Sequence, residues 1–406
     1  MHLLYNLVIR LYAIAIWLAA PFSAKAKQFV YGRKNIWQEL RTVPKENVVW
    51  FHAASLGEFE QGKPVIEALK NSRPDLNIVL TFFSPSGYEV RKDYAHAHTF
   101  YLPIDTPANA KRFVQMVNPI LAVFIRYEFW ANYLDALSNA QVKTTVIAAQ
   151  FRADQFAFSR LGSFIAKRIK KLDSITVQYP SAKDVLLANN FKRDRIFVCG
   201  DSRFDRVLET VKAQQEIAEL KQFCGKAPTV ILGSCYEKEV DFVKDAITSF
   251  PEWKFILAPH FVDDAYVTHL ENRLPEKAVR FTEFTKYTTE RVLILNTIGK
   301  LAAAYNYGEL AVVGGGFRDG IHNIIEPAAF GLPVFFGPNH YKFPEAQAML
   351  DAKFGFEINA ESKRTLTELM ANEDLRNKLQ HDAKTFVQQQ AGATSCITKQ
   401  LIQLLP

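Results

Sequence analysis

Glu58 and Glu128 stand in the same local setting. Each follows an apolar, β-prone run within a few residues, NVVWF at 47–51 and LAVFI at 121–125. A carboxylate at such a place can take a proton from an attacking hydroxyl, the work of a general base. Ser84 and Ser86 in FSPSG, and Arg152 in AQFRAD, follow two further runs and join the carboxylates as candidates for one cleft. A plainer reading stands beside each: Ser84 and Ser86 as helix caps, Glu58 as a first-turn glutamate favoured by the helix dipole. The second half of the chain offers different chemistry. VVGGGFRDGIHNIIEPAAFGLPVFFGP (312–338) ends a strand in three glycines and opens a helix after Asn323, with Glu326 in its first turn. Glycines let backbone approach a ligand, a helix start presents N–H groups to phosphate, and Glu326 would accept from a ribose hydroxyl pair. The stretch is neither GxGxxG nor GxxxxGK[ST], which excludes the dinucleotide and P-loop signatures. LGSCYEKE and APHF close two more runs in that half.

Positioning these residues takes strands that end where the polar stretches begin. Strand-like runs fall at 47–52, 77–82, 121–125, 144–149, 174–177 and 195–199. A second series falls at 229–233, 254–258, 291–295, 310–313 and 333–336, and amphipathic helical stretches such as 60–72, 107–117 and 238–249 lie between them. Alternation of this kind predicts α/β architecture with parallel, doubly wound sheets. Two series predict two Rossmann-like domains, with the break in the charged stretch near 200–216. The expected division is 1–24 as an N-terminal segment, 25–205 as the first domain and 206–406 as the second.

The N-terminal segment, LLYNLVIRLYAIAIWLAAPF, is about as long as a membrane span but carries Asn6 and Arg10. It lacks the basic start of a signal peptide. Two readings stay open, a single span and a helix lying in the membrane interface. Six basic residues against Glu39 alone occupy the first 41 positions, among them Lys25, Lys27, Arg33 and Lys34, while the rest of the chain is nearly balanced. A basic end on a balanced body points to an anionic surface and away from a nucleic-acid groove. Cys199, Cys224, Cys235 and Cys396 are widely spaced, so the sequence predicts neither a zinc site nor a disulfide framework, and a reducing compartment. His96 and His98 have no partner at ligand spacing and read as loop histidines.

The order of SLGE, PSG, YLPID, YEFW, GDSRFD, NTIGKL, VVGGGF and HNIIEPAAFGLPVFFGP along nearly the whole chain resembles the Kdo (3-deoxy-D-manno-octulosonic acid) transferases. These are membrane-associated glycosyltransferases of Gram-negative bacteria with the two-domain GT-B architecture. The resemblance implies an inverting enzyme that moves Kdo from CMP-Kdo to the 6′-hydroxyl of a tetraacylated lipid A precursor in lipopolysaccharide biosynthesis. The first domain would take the acceptor and the second the donor nucleotide. The 1–24 segment would anchor the protein in the inner membrane, catalytic domains on the cytoplasmic face. It implies Glu58 as the base, and Glu128 and Arg203 as transition-state stabilisers. CMP contacts would come from Pro259 and His260, from Ile298, Gly299 and Lys300, and from Asn323, Ile324, Ile325 and Glu326. CMP-Kdo is a co-substrate; no cofactor and no metal are expected, and the partners are CMP-Kdo, the lipid A precursor and membrane lipids. The chain departs from the family at His260, where Arg is common, and at Lys300, where Glu is common. Arg is always charged and binds phosphate bidentately, which His does not. Two rivals are a GT-B-like sugar-nucleotide epimerase, which has no use for an anchor, and a tethered glycolipid-binding module without activity.

Overall fold

Val48 to Ala53 are all buried, and their side chains alternate between two cores. Val48 and Trp50 join Val79, Phe113, Phe124 and Tyr133 on one face; Val49, Phe51 and Ala53 join Phe59, Val65, Leu80 and Ile125 on the other. A strand with both faces buried belongs to a sheet covered by helices on each side. The computed structural model, which describes residues 1–406, is built from two such sheets. One unit comprises Met1–Asp205 and Ala391–Pro406, the other Arg206–Gln390.

In unit 1 the strands are β1 (Val48–Ala53), β2 (Asn77–Phe82), β3 (His98–Tyr101), β4 (Leu121–Ile125), β5 (Lys143–Ala149), β6 (Ser174–Val177) and β7 (Ile196–Val198). They pair in parallel in the order β3-β2-β1-β4-β5-β6-β7. In unit 2, β8 (Thr229–Cys235), β9 (Lys254–Pro259), β10 (Ala278–Arg280), β11 (Val292–Ile294), β12 (Leu310–Val313), β13 (Val334–Phe336) and β14 (Gly355–Glu357) run in the order β10-β11-β9-β8-β12-β13-β14. The first order reverses between β1 and β4; the second reverses at its centre between β8 and β12, with β10 placed outside β11 at its edge.

The second domain was expected to run to residue 406, but the chain returns to unit 1 at Ala391. The reason is the apolar stripe of the last helix, Ala393–Leu404. Ile397 and Leu401, with Leu405 beyond its end, fall four residues apart on one face and complete the core that holds Phe59, Val65 and Leu69. Asp205 caps the returning helix, its carboxylate accepting from the Gly392 and Thr394 N–H groups at 2.6 and 2.7 Å. Against the expectation of no disulfide, Cys199 at the end of β7 is bonded to Cys396 in this helix, and Cys224 and Cys235 are buried free thiols. The pairing was invisible in sequence because 197 residues separate the partners.

The N-terminal helix, His2–Ala19, is held on unit 1 by its polar stripe. The Tyr5 hydroxyl donates to Asp105 at 2.5 Å, the His2 ring meets the Asn132 amide oxygen at 3.0 Å, and the Asn132 amide donates to Asn6 at 2.8 Å. Leu3, Leu7, Val8, Leu11, Ile14, Trp17, Leu18 and Phe22 are left exposed. Arg33, counted in the sequence with the surface basic residues, is half-buried. It donates to the carbonyls of Phe29, Phe83 and Leu102 and packs on the Phe29, Phe83 and Tyr101 rings. It is a strut that ties this N-terminal region to the sheet.

Candidate functional site

In an open parallel sheet the crevice lies beyond the carboxyl ends of the strands where their order reverses. In unit 1 those strands are β1 and β4. Glu58 sits in the first turn of the helix that follows β1, Leu56–Ser72, and Glu128 in the turn that follows β4. Two strands far apart in sequence thus bring the two carboxylates within electrostatic reach of each other.

Ser55, at the N-cap of that helix, makes no side-chain cap. Glu58 reaches back instead, its Oε2 accepting from the Ala54 N–H at 2.5 Å. Burial and the Glu128 charge push the Glu58 carboxyl up to about 7, against the pull of the Ala54 and Ser55 N–H groups and Arg126. One side chain therefore caps a helix and is poised to exchange a proton near neutral pH. Burial raises Glu128 as well.

The turn carrying Glu128 is fixed from below. The Trp130 indole N–H donates to His52 Nε2 at 2.9 Å, and His52 Nδ1 meets the Thr81 hydroxyl at 2.9 Å. His52 is fully buried, and burial lowers its pKa to about 3, so the imidazole is neutral and accepts from the indole. On the other side, the Gln178 amide donates to Gln61 Oε1 at 3.0 Å and the Ser202 hydroxyl to the Gln61 carbonyl at 2.6 Å. This ties the helix bearing Glu58 to the end of β6 and to the residue before Arg203. The Arg203 guanidinium is aligned by Asp201, at 2.8 Å from Nε and 2.6 Å from Nη2. The Asp201 side chain is 1 % exposed. In DSRFD, then, Asp201 orients the arginine, Ser202 locks the helix, and Asp205 caps the returning C-terminal helix.

Three candidates from the sequence take the plainer reading. Ser84 caps the helix Pro85–Arg91, its hydroxyl accepting from the Ser86 N–H at 3.3 Å, and Arg152 pairs with Asp154 in an exposed loop. None of Ser84, Ser86 and Arg152 is bonded to Glu58 or Glu128.

In unit 2 the reversal lies between β8 and β12. Tyr236 follows β8, His260 follows Pro259 at the end of β9, and His322 follows β12. The three rings form one stack, His260 lying 5.0 Å from Tyr236 and 4.7 Å from His322, with the Tyr236 hydroxyl 3.2 Å from His322 Nε2. The Arg318 guanidinium covers the outer face of Tyr236 at 4.2 Å. Burial lowers both histidines, Arg318 lowers His260 further and His260 lowers His322, so both rings are neutral at pH 7.

The glycine run does not serve the expected purpose. A Cβ on Gly314 would fall 2.0 Å from the Ser234 carbonyl oxygen, and one on Gly316 within 2.6 Å of Gly337. These glycines let the ends of β8, β12 and β13 touch, so their missing side chains are accounted for by protein backbone. The helix after Asn323 is only Ile325–Phe330, and its first N–H groups are already used: Asn323 Oδ1 accepts from Ile325 and Glu326 at 3.1 and 3.4 Å. Ile324 and Ile325 are core residues. Burial raises Glu326, partly offset by Arg206. Ile298, Gly299 and Lys300 follow β11, one strand beyond β9. Ile298 is 87 % exposed, Gly299 has φ +88°, and Lys300 lies over the Phe281 ring at 4.8 Å. No group of three or more His, Cys, Asp or Glu side chains is arranged to hold a metal.

His52, Gln61, Asp201, Tyr236 and His322 were missed as site residues. A histidine at the end of an apolar run reads as core, and Gln61 looks like any helix residue. Tyr236 and His322 stand inside the quoted stretches, but only the sheet order reveals that they meet.

Two doubly wound units with polar clusters at their strand-order reversals define a GT-B-type α/β protein. Solved structures share the fold. UDP-GlcNAc 2-epimerase from Neisseria meningitidis bound to UDP-GlcNAc superposes with TM-score 0.64 at 11 % identity, over 88 % of this chain and 100 % of that one. Anabaena Alr3699/HepE in complex with UDP gives 0.60 at 12 %, over 88 % and 98 %. At such identities the likeness concerns the fold alone. Sequence relatives are more specific. Residues 28–206 match the family described as 3-deoxy-D-manno-octulosonic-acid transferase (kdotransferase). The transferase of that name from Aquifex aeolicus is 27 % identical over 82 % of this chain and 90 % of its own length. The one from Haemophilus influenzae is 23 % identical over 86 % and 85 %, and the one from Chlamydia muridarum 27 % over 93 % and 92 %. The first half of the chain thus carries the match to this family, and the relatives that align with most of its length are Kdo transferases.

Proposed function

We propose that the protein is an inverting, CMP-Kdo-dependent transferase that attaches Kdo to the 6′-hydroxyl of a tetraacylated lipid A precursor. The observation that carries this reading is Glu58, a buried carboxyl pushed up to about 7 at the strand-order reversal of unit 1. A sugar hydroxyl is a weak nucleophile at neutral pH. Glu58 takes its proton as the new C–O bond forms, a contribution of about 10²–10⁴ in rate. Attack from the face opposite CMP inverts the anomeric carbon. CMP leaves as a phosphate monoester anion, and Arg203, pre-aligned by Asp201, supplies fixed positive charge for the transition state. Glu128 acts with it, its turn held by the Trp130–His52 bond.

Unit 1 takes the acceptor and unit 2 the donor nucleotide. The His260–Tyr236–His322 stack supports an aromatic, polar seat at the reversal of the second sheet. Pro259, Ile298 to Lys300, Asn323 and Glu326 are further nucleotide contacts, while Ile324 and Ile325, buried in the core, hold that turn from behind. No metal or cofactor takes part. The exposed apolar face of His2–Ala19, with its polar stripe bonded to unit 1, supports a helix lying in the membrane interface more than one crossing it. Lys25, Lys27 and Lys34 face lipid headgroups, on the cytoplasmic side of the inner membrane. Mass analysis of the product from purified protein, CMP-Kdo and tetraacylated lipid A precursor tests the reading. A product heavier by one or more Kdo residues supports it. Release of CMP without a lipid product, or no turnover, overturns it. An exchange of UDP-sugar epimers by the same protein would favour the epimerase.

A further inference from the structure

Arg126, the first residue after β4, is in the left-handed region with φ 68°. For a side chain with a Cβ this conformation is strained, and strain of this kind collects at working sites. The neighbouring strand is distorted at the same level. Ala148 in β5 has φ 52°, and the β5–β6 register slips between Val146 and Ala149. The Arg126 N–H is bonded to the Ile147 carbonyl at 2.9 Å, which holds the distorted backbone in place. The Arg126 side chain lies within electrostatic reach of Glu58. Its charge is felt at Glu58, where it opposes the upward push of burial and Glu128.

The guanidinium is incompletely satisfied. Nη2 donates to the Gln150 side chain at 3.2 Å, and the group lies 5.3 Å from the centre of the exposed Tyr127 ring. Nε is buried without any hydrogen-bond partner, and no carboxylate lies within ion-pair distance. Most other arginines of this unit that are drawn into the fold are engaged. Arg33 has three carbonyls, Arg168 has Asp135, Arg203 has Asp201 and Arg91 has Glu60. A half-buried cation held by a strained backbone, tethered by one neutral amide and touching no carboxylate, is built to receive one.

We propose that Arg126 forms an anion subsite beside Glu58, binding a carboxylate or phosphate carried by a substrate. The inference rests on the proposed reaction, whose substrates offer two such groups: the carboxylate of the donor sugar and a phosphate of the lipid acceptor. Gln150 sets the plane of the guanidinium, and the bound anion completes its hydrogen bonds while placing the substrate against the base.

The test uses the full chain with Arg126→Gln, Arg126→Lys and Arg126→Gly, with CMP-Kdo and precursors carrying both phosphates or lacking one. Arg126→Gln is expected to lower kcat/KM about 10- to 100-fold, the range for losing a charge-assisted hydrogen bond. Arg126→Lys should recover part of it. If the ligand is an acceptor phosphate, the loss disappears with the precursor that lacks that phosphate. If it is the donor carboxylate, the loss persists with every acceptor, while CMP alone binds as it does to the wild type. Arg126→Gly separates function from structure, because glycine relieves the left-handed strain: activity should fall with no loss of melting temperature. Wild-type kcat/KM within twofold in Arg126→Gln and Arg126→Gly, or loss of activity in Arg126→Gly only in step with a lowered melting temperature, overturns the subsite. Absence of Kdo transfer by the wild type would instead overturn the reaction on which it rests.

Discussion

Replacing Glu58 by Gln should make the protein less active and, at alkaline pH, more stable. The carboxyl titrates at about 7 in the folded chain against an ordinary 4.5, and its side chain is buried. The folded state therefore binds this proton more tightly than the unfolded state. The associated stability is fully present below pH 4.5 and is lost as pH rises through 7. Well above pH 7 the ionised, buried carboxylate costs about 3 kcal/mol. Gln keeps the shape and an oxygen that can accept from the Ala54 N–H, and it carries no charge at any pH. The variant and the wild type should therefore melt together near pH 4.5, and the variant should gain up to about 3 kcal/mol by pH 8.5. That is roughly 6–12 °C in the unit 1 transition at about 2–4 °C per kcal/mol. Turnover should fall at least about a hundredfold, with CMP affinity unchanged. In the wild type, kcat/KM should rise with pH through about 7. Glu128→Gln removes one of the two causes of the raised value and should move that limb to lower pH. Calorimetry at the two pH values and a pH–rate profile are the assays. A stability difference that does not vary with pH, together with near-wild-type turnover in Glu58→Gln, would refute both the titration and the role.

Activity is expected to survive excess EDTA, since the transfer relies on Glu58 and Arg203; abolition by chelator with rescue by Mg²⁺ would contradict this. His260→Arg should tighten CMP binding about tenfold at pH 7, because it sets a permanent charge where a neutral ring now stands; calorimetric titration reads it, and weaker binding would remove His260 from the nucleotide seat. Leu7→Glu with Leu11→Glu should cut sedimentation with anionic vesicles by at least about a hundredfold, since each leucine side chain contributes about 1.5–3 kcal/mol on burial. CMP binding should be intact, and unchanged sedimentation would show that another surface meets the lipid.

The sequence foretold the architecture where strands are central and long. Eleven runs were recognised, and each coincides with a strand of the two sheets. The three that were missed, β3, β10 and β14, are all edge strands of three or four residues, HTFY, AVR and GFE. An edge strand has one neighbour and less burial, so it needs no apolar run; β7, the fourth edge strand, was read because Ile196, Phe197 and Val198 do form one. The carboxylate pair was legible because each glutamate follows a central strand. The positions of His260 and Glu326 were legible, but the partners around them were not. Ring stacking at a strand-order reversal depends on which strands are neighbours, and composition does not carry that order. The glycine run misled because a close backbone approach looks the same in sequence whether the other party is a ligand or Ser234 and Gly337. Cys199 and Cys396 were unreadable as a pair for a related reason: only the return of the last helix brings them together.

That return has a consequence for how the chain comes into being. Unit 2 is an insertion, entered after Asp205 and left before Ala391, so the ribosome finishes the first seven strands long before it makes their last covering helix. At roughly 5–20 residues per second, making the intervening stretch takes on the order of 10–40 s. Throughout that interval Phe59, Val65 and Leu69 lack the cover of Ile397, Leu401 and Leu405. The nascent first unit thus carries an open apolar seam for its chaperones to guard, and a ribosome that stalls in unit 2 strands a sheet that cannot close.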